Sequence, residues 1–321
     1  MRAPLTVVVA MCTMLIAAAC GSTNPPKADA NFAKQVSIGH GRSMYIQCWG
    51  SGSPTVVLIS GKGYAGDLWD SPETKGSPRV FPQVSKTTRV CNYDRPGTVH
   101  QGEDPQPPYN GSTPVPQPTT TQSAVSDLNA LLGAAHVPGP YVLAAHSYGG
   151  AIARLYAHTY PAQVTGMVLI DSFGPELRAK FTAQQWKTWE TLNATPAAAL
   201  KAYPASEQLN NDVALDQVET ARSILPMPLV VLAADQDYGT QVEQMAAAGK
   251  LPAGVPADFG YLIFRYGLQA QAQIANLVPG AKLVTKTNSG HDIMLDNPTL
   301  VTSSIVEVIN AERQGRTSVN T

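Results

Sequence analysis

Short apolar runs alternate with longer amphipathic stretches along most of this chain. Residues 34–38 and 43–49 flank His40-Gly41-Arg42 and predict an opening hairpin. The run TVVLIS at 55–60 is apolar without alternation, as expected of a strand covered on both faces. Residues 88–93, 141–145, 165–170, 229–233 and 281–285 predict further strands. Between them, 122–135 sets Val125, Leu128, Leu131 and Leu132 on one helical face. Helices are also predicted from Ser147 to about Thr159 and over 299–311, with weaker helical or loop signals at 66–69 and 79–85. Residues 96–120 are rich in Pro, Gly and polar side chains, a loop long enough to be functional or mobile. Residues 173–226 carry three helical patterns, including Trp186 and Trp189, and no strand, which reads as an insertion packed over a sheet. Strands alternating with helices predict an α/β architecture, a mostly parallel eight-stranded sheet with helices on both faces.

Composition narrows the partners. Net charge over the 321 residues is -1, and no run of Lys or Arg exceeds a pair. Nucleic acid and anionic membrane surfaces are therefore not favoured electrostatically. No repeat at solenoid or propeller period is present. Arg2 followed by apolar residues 5–19 predicts a signal peptide, since that stretch is short for a membrane span. It ends in Ala17-Ala18-Ala19-Cys20-Gly21-Ser22, which resembles a bacterial lipobox with Ala17 where Leu is usual. That resemblance implies diacylation of Cys20 and outward-facing attachment to the cell membrane; ordinary cleavage, leaving a secreted soluble protein, is the alternative. Two acyl chains anchor stably where one binds marginally. Cys12 would leave with the signal peptide, so Cys48 and Cys91 remain, either as a disulfide or as two buried thiols on neighbouring strands.

The chemistry concentrates around Ala145-His146-Ser147-Tyr148-Gly149-Gly150. A strand ends, Ser147 occupies a sharp turn, and a helix starts at once, with small neighbours that make the turn feasible. This strand–elbow–helix context supports a G-x-S-x-G nucleophile, here with Ala145 at the first position. From these residues the chain resembles the α/β-hydrolase family, over nearly its whole length after the leader. The resemblance implies an α/β-hydrolase fold and a triad in the order Ser, acid, His. His291, in Asn288-Ser289-Gly290-His291-Asp292, matches the family's general base, and Asp296-Asn297-Pro298 also resembles family members. For the acid, the segment LVVLAADQDYG points first to Asp237, with Asp235 and Asp171 as alternatives. The oxyanion hole would use the backbone N–H of Tyr148 and that of Lys62 or Gly63, in the loop after TVVLIS. Asp94 and Arg95, in Asn92-Tyr93-Asp94-Arg95-Pro96-Gly97, are expected to hold loops around the site by ion pairing rather than to catalyse. Asn110-Gly111-Ser112 and Asn193-Ala194-Thr195 match a glycosylation pattern that a bacterial lipobox makes irrelevant.

No His/Cys/Glu cluster has metal-ligand spacing and no Gly-rich phosphate loop is present, so neither metal nor cofactor is expected. The expected organisation is a signal peptide (1–19), a lipidated Cys with a flexible tether (20–34), a hydrolase core (35–172 and 227–313) and a helical cap or lid (173–226). The expected activity is cleavage of a small-molecule acyl ester through an acyl-enzyme. Aminopeptidase, amidase or acyltransferase chemistry on the same fold is an alternative, with Glu176, Glu190, Glu207 or Asp212 available to grip a free amine. A non-catalytic envelope lipoprotein that binds a ligand is the third reading.

Overall fold

The computed structural model describes residues 31–71, 76–101, 110–221 and 223–319. Cys20, the apolar segment before it, most of the tether and part of the 96–120 loop lie outside the described residues. The elements, in order, are β1 (Phe32–Gly39), β2 (Arg42–Trp49), β3 (Thr55–Ile59), α1 (Val80–Val84), β4 (Val90–Tyr93), α2 (Thr121–Ala134), β5 (Tyr141–His146), α3 (Tyr148–Thr159) and β6 (Val164–Ile170). There follow α4 (Pro175–Arg178), α5 (Ala183–Leu192), α6 (Ala197–Ala202), α7 (Asn211–Glu219), β7 (Leu229–Leu232), α8 (Tyr238–Ala247), α9 (Phe259–Ala275), β8 (Lys282–Val284), α10 (Ile293–Asp296) and α11 (Pro298–Arg313).

The strands form an eight-stranded sheet in the order β1-β2-β4-β3-β5-β6-β7-β8. β2 pairs antiparallel with β1 and β4, and every other pairing is parallel. Every residue of β3, β4, β5 and β7 is buried, which is why these strands read as unbroken apolar runs. Successive side chains go to opposite faces. Val57, Leu143 and Leu169 meet Val125 and Leu128 of α2 and Ile152 of α3, while Val56, Val142 and Val168 meet Phe81 of α1 and Ile305 and Val308 of α11. β2, by contrast, buries alternate residues, Met44, Ile46 and Cys48. The sheet and its two helical layers are those expected from the sequence.

The roof over the sheet is larger than the sequence suggested. Four helices, α4 to α7, fill the insertion between β6 and β7, and α4 is a single turn. The helical pair α8–α9 between β7 and β8, where the sequence pattern predicts no element, joins them. Val242, Val255 and Phe259 pack against Leu192 of α5, with Phe181 and Trp189 at the margin. Phe173, Trp189 and Trp186 stack in series, with ring centroids 5.4 and 4.6 Å apart.

Cys48 and Cys91 face each other across the β2–β4 pairing and form a disulfide closing a separation of 43 residues. Replacing both with Ala removes a cross-link whose loop-closure contribution is about 4 kcal/mol. Urea unfolding of the doubly substituted protein is expected to show a clearly lower midpoint; an unchanged midpoint would show that the bond adds nothing to stability.

Candidate active site

Ser147 stands between β5 and α3 with φ 51° and ψ −120°, a backbone region that costs a non-glycine residue about 1–3 kcal/mol. The neighbourhood over-determines this turn. Ser147 N–H donates to Ile170 O at 3.0 Å, and Ser147 O accepts from Gly150 N–H and Phe173 N–H, both at 2.9 Å. α3 is driven so close to β3 that a Cβ on Gly149 would overlap Ile59 O. The loop after β3 is equally tight, because a Cβ on Gly61 would lie 3.2 Å from Ser147 Cβ and 2.8 Å from His146 Nδ1. Ala145 is fully buried, so a small residue suffices at that position. The first helical N–H groups of α3 point at this spot, as helix N-termini do.

His291 lies on the loop between β8 and α10, and its Nδ1 bonds Asp171 Oδ2 at 2.6 Å. Asp171 directly follows β6 and carries φ 40°. Its other oxygen accepts from Ala234 N–H at 3.3 Å. The partner of His291 is therefore Asp171, the third-ranked candidate for the acid, and not Asp237. Asp237 is the N-cap of α8, where its Oδ1 accepts from Gly239 N–H at 2.7 Å. Asp235 braces the histidine loop instead, accepting from Ser289 N–H at 2.9 Å and Thr287 Oγ1 at 3.1 Å. Desolvation, the largest single influence, pushes its carboxyl up, but the hydrogen bonds from Ser289, Asn288 and Thr287 together outweigh it and hold the carboxyl below the usual carboxylate range. Gly290 N–H donates to Asp296 Oδ2 at 2.7 Å, which fixes the loop on its other side.

The His291 ring packs on His146 with centroids 4.6 Å apart, and 53% of its side-chain surface opens to the cavity. Desolvation lowers its pKa, but the bond and charge of Asp171, with Asp292, outweigh this and raise it above 6.5. His146 is fully buried. Its Nε2 reaches His291 O at 3.1 Å, and a carbonyl there requires Nε2–H as donor. Burial first, then the charges of His291 and Arg95, push its pKa far down, so it stays neutral and steadies the His291 backbone.

The loop after β3 brings Gly61 and Lys62 into the same cavity as Ser147, Tyr148 and His291. Among the described residues Lys62 N–H has no partner, whereas Gly63 N–H donates to Glu207 Oε2 at 2.7 Å. Gly63 is thus removed as an oxyanion donor because its N–H is spent, and Lys62 with Tyr148 remains. The Lys62 side chain is half-buried, and desolvation lowers its pKa against a smaller opposing pull from Glu207. Asp94 ties loops as expected, accepting from Gly66 N–H at 2.8 Å and Gly111 N–H at 3.3 Å. Arg95 pairs with Glu207 of the cap at 2.7 Å, a contact the sequence could not show. The cavity holds about 760 Å³, with Phe173, Leu177, Trp189 and Ile263 among its apolar walls and Gln241 and Gln244 among its polar ones.

A model of the alpha/beta hydrolase family matches residues 56–303. A putative lipase from Acinetobacter baumannii has a similar structure, with TM-score 0.57 and 19% identity, over 89% of this chain and 93% of that one. The carboxylesterase CesB of Bacillus subtilis gives TM-score 0.53 and 16% identity over 87% and 92%. At such identities the likeness is one of fold. An uncharacterised protein of Schizosaccharomyces pombe is 29% identical over 149 residues, 40% of this chain and 26% of the relative. The chain spans less than half the length of the curated relatives it matches.

Two substitutions separate the aspartates without reference to any activity. In an NMR titration the His291 ring is expected to titrate above 6.5, and Asp171→Asn should bring that value down. Asp237→Ala should leave it in place and cost about 1 kcal/mol of stability through the lost helix cap. A His291 titration that responds to Asp237 and not to Asp171 would contradict the assignment.

Proposed function

We propose that this chain, which belongs to the alpha/beta hydrolase family, is a serine hydrolase that cleaves carboxylic esters through an acyl-enzyme on Ser147. The bond between His291 and Asp171, at the edge of a cavity onto which Ser147 also opens, is the observation that carries this reading. In the proposed cycle His291 Nε2 accepts the Ser147 proton as Oγ attacks the ester carbonyl. Asp171 keeps the ring in the Nδ1–H tautomer and stabilises the imidazolium. The N–H groups of Tyr148 and Lys62 take the developing oxyanion. His291 returns its proton to the departing alcohol, and water releases the acyl group by the same route.

The cavity has the volume of a small-molecule site, which favours a short or medium acyl ester over a macromolecule. Three of the four carboxylates named for gripping an amine are already paired. Glu176 is paired with Arg154, Glu207 with Arg95, and Asp212 with Arg178 and the Trp186 indole N–H. None of these, nor Glu190, lines the cavity. Export and lipidation on Cys20 belong to the same proposal. A Cys48–Cys91 disulfide suits an oxidising compartment and is rare in the cytosol, which supports the leader reading.

With p-nitrophenyl butyrate as substrate, Ser147→Ala should fall to background. Asp171→Asn should lose about 10²–10⁴ in kcat. The active base is the neutral imidazole, so activity should drop as pH falls through the raised His291 value, placing the acid limb above 6.5. Hydrolysis of aminoacyl anilides in preference to short esters would overturn the ester assignment. For export, cells fed labelled palmitate should label the wild-type protein, and Cys20→Ala should abolish that label; label retained by Cys20→Ala would refute the anchor.

A further inference from the structure

The geometry points to Arg95 and Glu207 as positioning residues that aim the Lys62 N–H at the oxyanion, so that the helical cap holds half of the oxyanion hole in place. This rests on the ester-hydrolase reading above. Arg95 sits in the turn after β4 with only 2% of its surface exposed. Its Nη1 donates to Ser60 O at 2.8 Å and its Nη2 to Gly61 O at 2.6 Å. Its Nε and Nη2 donate to the two oxygens of Glu207 at 2.7 and 2.9 Å.

The consequence follows from peptide planarity. Gly61 C=O and Lys62 N–H belong to one trans peptide unit, so they point in opposite directions. Holding the carbonyl toward Arg95 turns the Lys62 N–H away from it. The next peptide is held as well, because Gly63 N–H donates to Glu207 Oε2 at 2.7 Å. Tyr64 N–H also reaches Gly61 O, at 3.3 Å, and the ion pair braces the peptides on both sides of Lys62, whose own N–H stays without a partner among the described residues. Gly61 lies against Ser147, which puts the freed donor beside the nucleophile.

Glu207 belongs to the cap, between α6 and α7. Its own N–H donates to Gly97 O at 2.8 Å. Gly97 has φ 84°, and a Cβ there would overlap Ala205 O, so cap and turn are clamped together. A buried pair recovers little net stability after desolvation. What this one supplies is directional: it holds three consecutive peptides, 60–61, 61–62 and 62–63.

The test compares Glu207→Gln, Arg95→Lys and the double variant Arg95→Met/Glu207→Leu on p-nitrophenyl butyrate. A misaimed donor should lower kcat by about 10–100-fold, less than the loss of a donor outright, with KM nearly unchanged. The inhibition constant of a trifluoromethyl ketone, which forms a tetrahedral adduct, should rise by the same factor. The double variant leaves no lone buried charge and should unfold at a higher urea midpoint than either single variant while kcat stays low; it carries the test if a single variant does not fold. Wild-type kcat in folded Glu207→Gln, or its recovery in the double variant, would overturn the inference. A wild-type protein inert toward the ester would instead overturn the hydrolase reading beneath it.

Discussion

Everything at this site is arranged around one backbone constraint, the turn that forces Ser147 into φ 51° at the carboxyl end of β5. A strand and a helix can meet so abruptly only if their neighbours give way. Gly149 lets α3 press against β3, and Gly61 lets the loop after β3 close over the elbow. Asp171 and Asn288 also take positive φ. Strain gathered in this way around one cavity, and held by bonds on all sides, is the usual mark of a working site.

The parallel sheet converts that local turn into an assembly. Loops leaving β3, β4, β5, β6, β7 and β8 all emerge at the same edge, where ligands bind in open α/β sheets. β6 lies directly beside β5, so a carboxylate immediately after β6 reaches the His291 ring without an extended lever. The β7 loop does a different job: Asp235 carries the backbone of the histidine loop. The cap enters through Glu207, whose bond to Arg95 links the roof to the loop beside Ser147.

Local features were legible in the sequence. Strands buried on both faces leave unbroken apolar runs, and the elbow is written within six consecutive residues, Ala145 to Gly150. His291 stood out by its loop and its Gly. The acid was not legible to the same degree, because Asp171, Asp235 and Asp237 all follow strands. What separates them is competition: the start of α8 claims the Asp237 carboxylate, and Ser289 claims that of Asp235. A helix-capping reading of Asp-Tyr-Gly-Thr before a helical run was the one available clue. The pairing of Glu207 with Arg95 was invisible, since the two are 112 residues apart and nothing in the chain's pattern links them.

The central claim is that Asp171, through His291, activates Ser147. It is tested most directly by the rate at which a fluorophosphonate modifies Ser147, followed by intact-protein mass in wild type, Asp171→Asn and Asp237→Asn. The account predicts slowing by about 10²–10⁴ for Asp171→Asn and a rate close to wild type for Asp237→Asn. The opposite order, or equal rates in all three proteins, would contradict it.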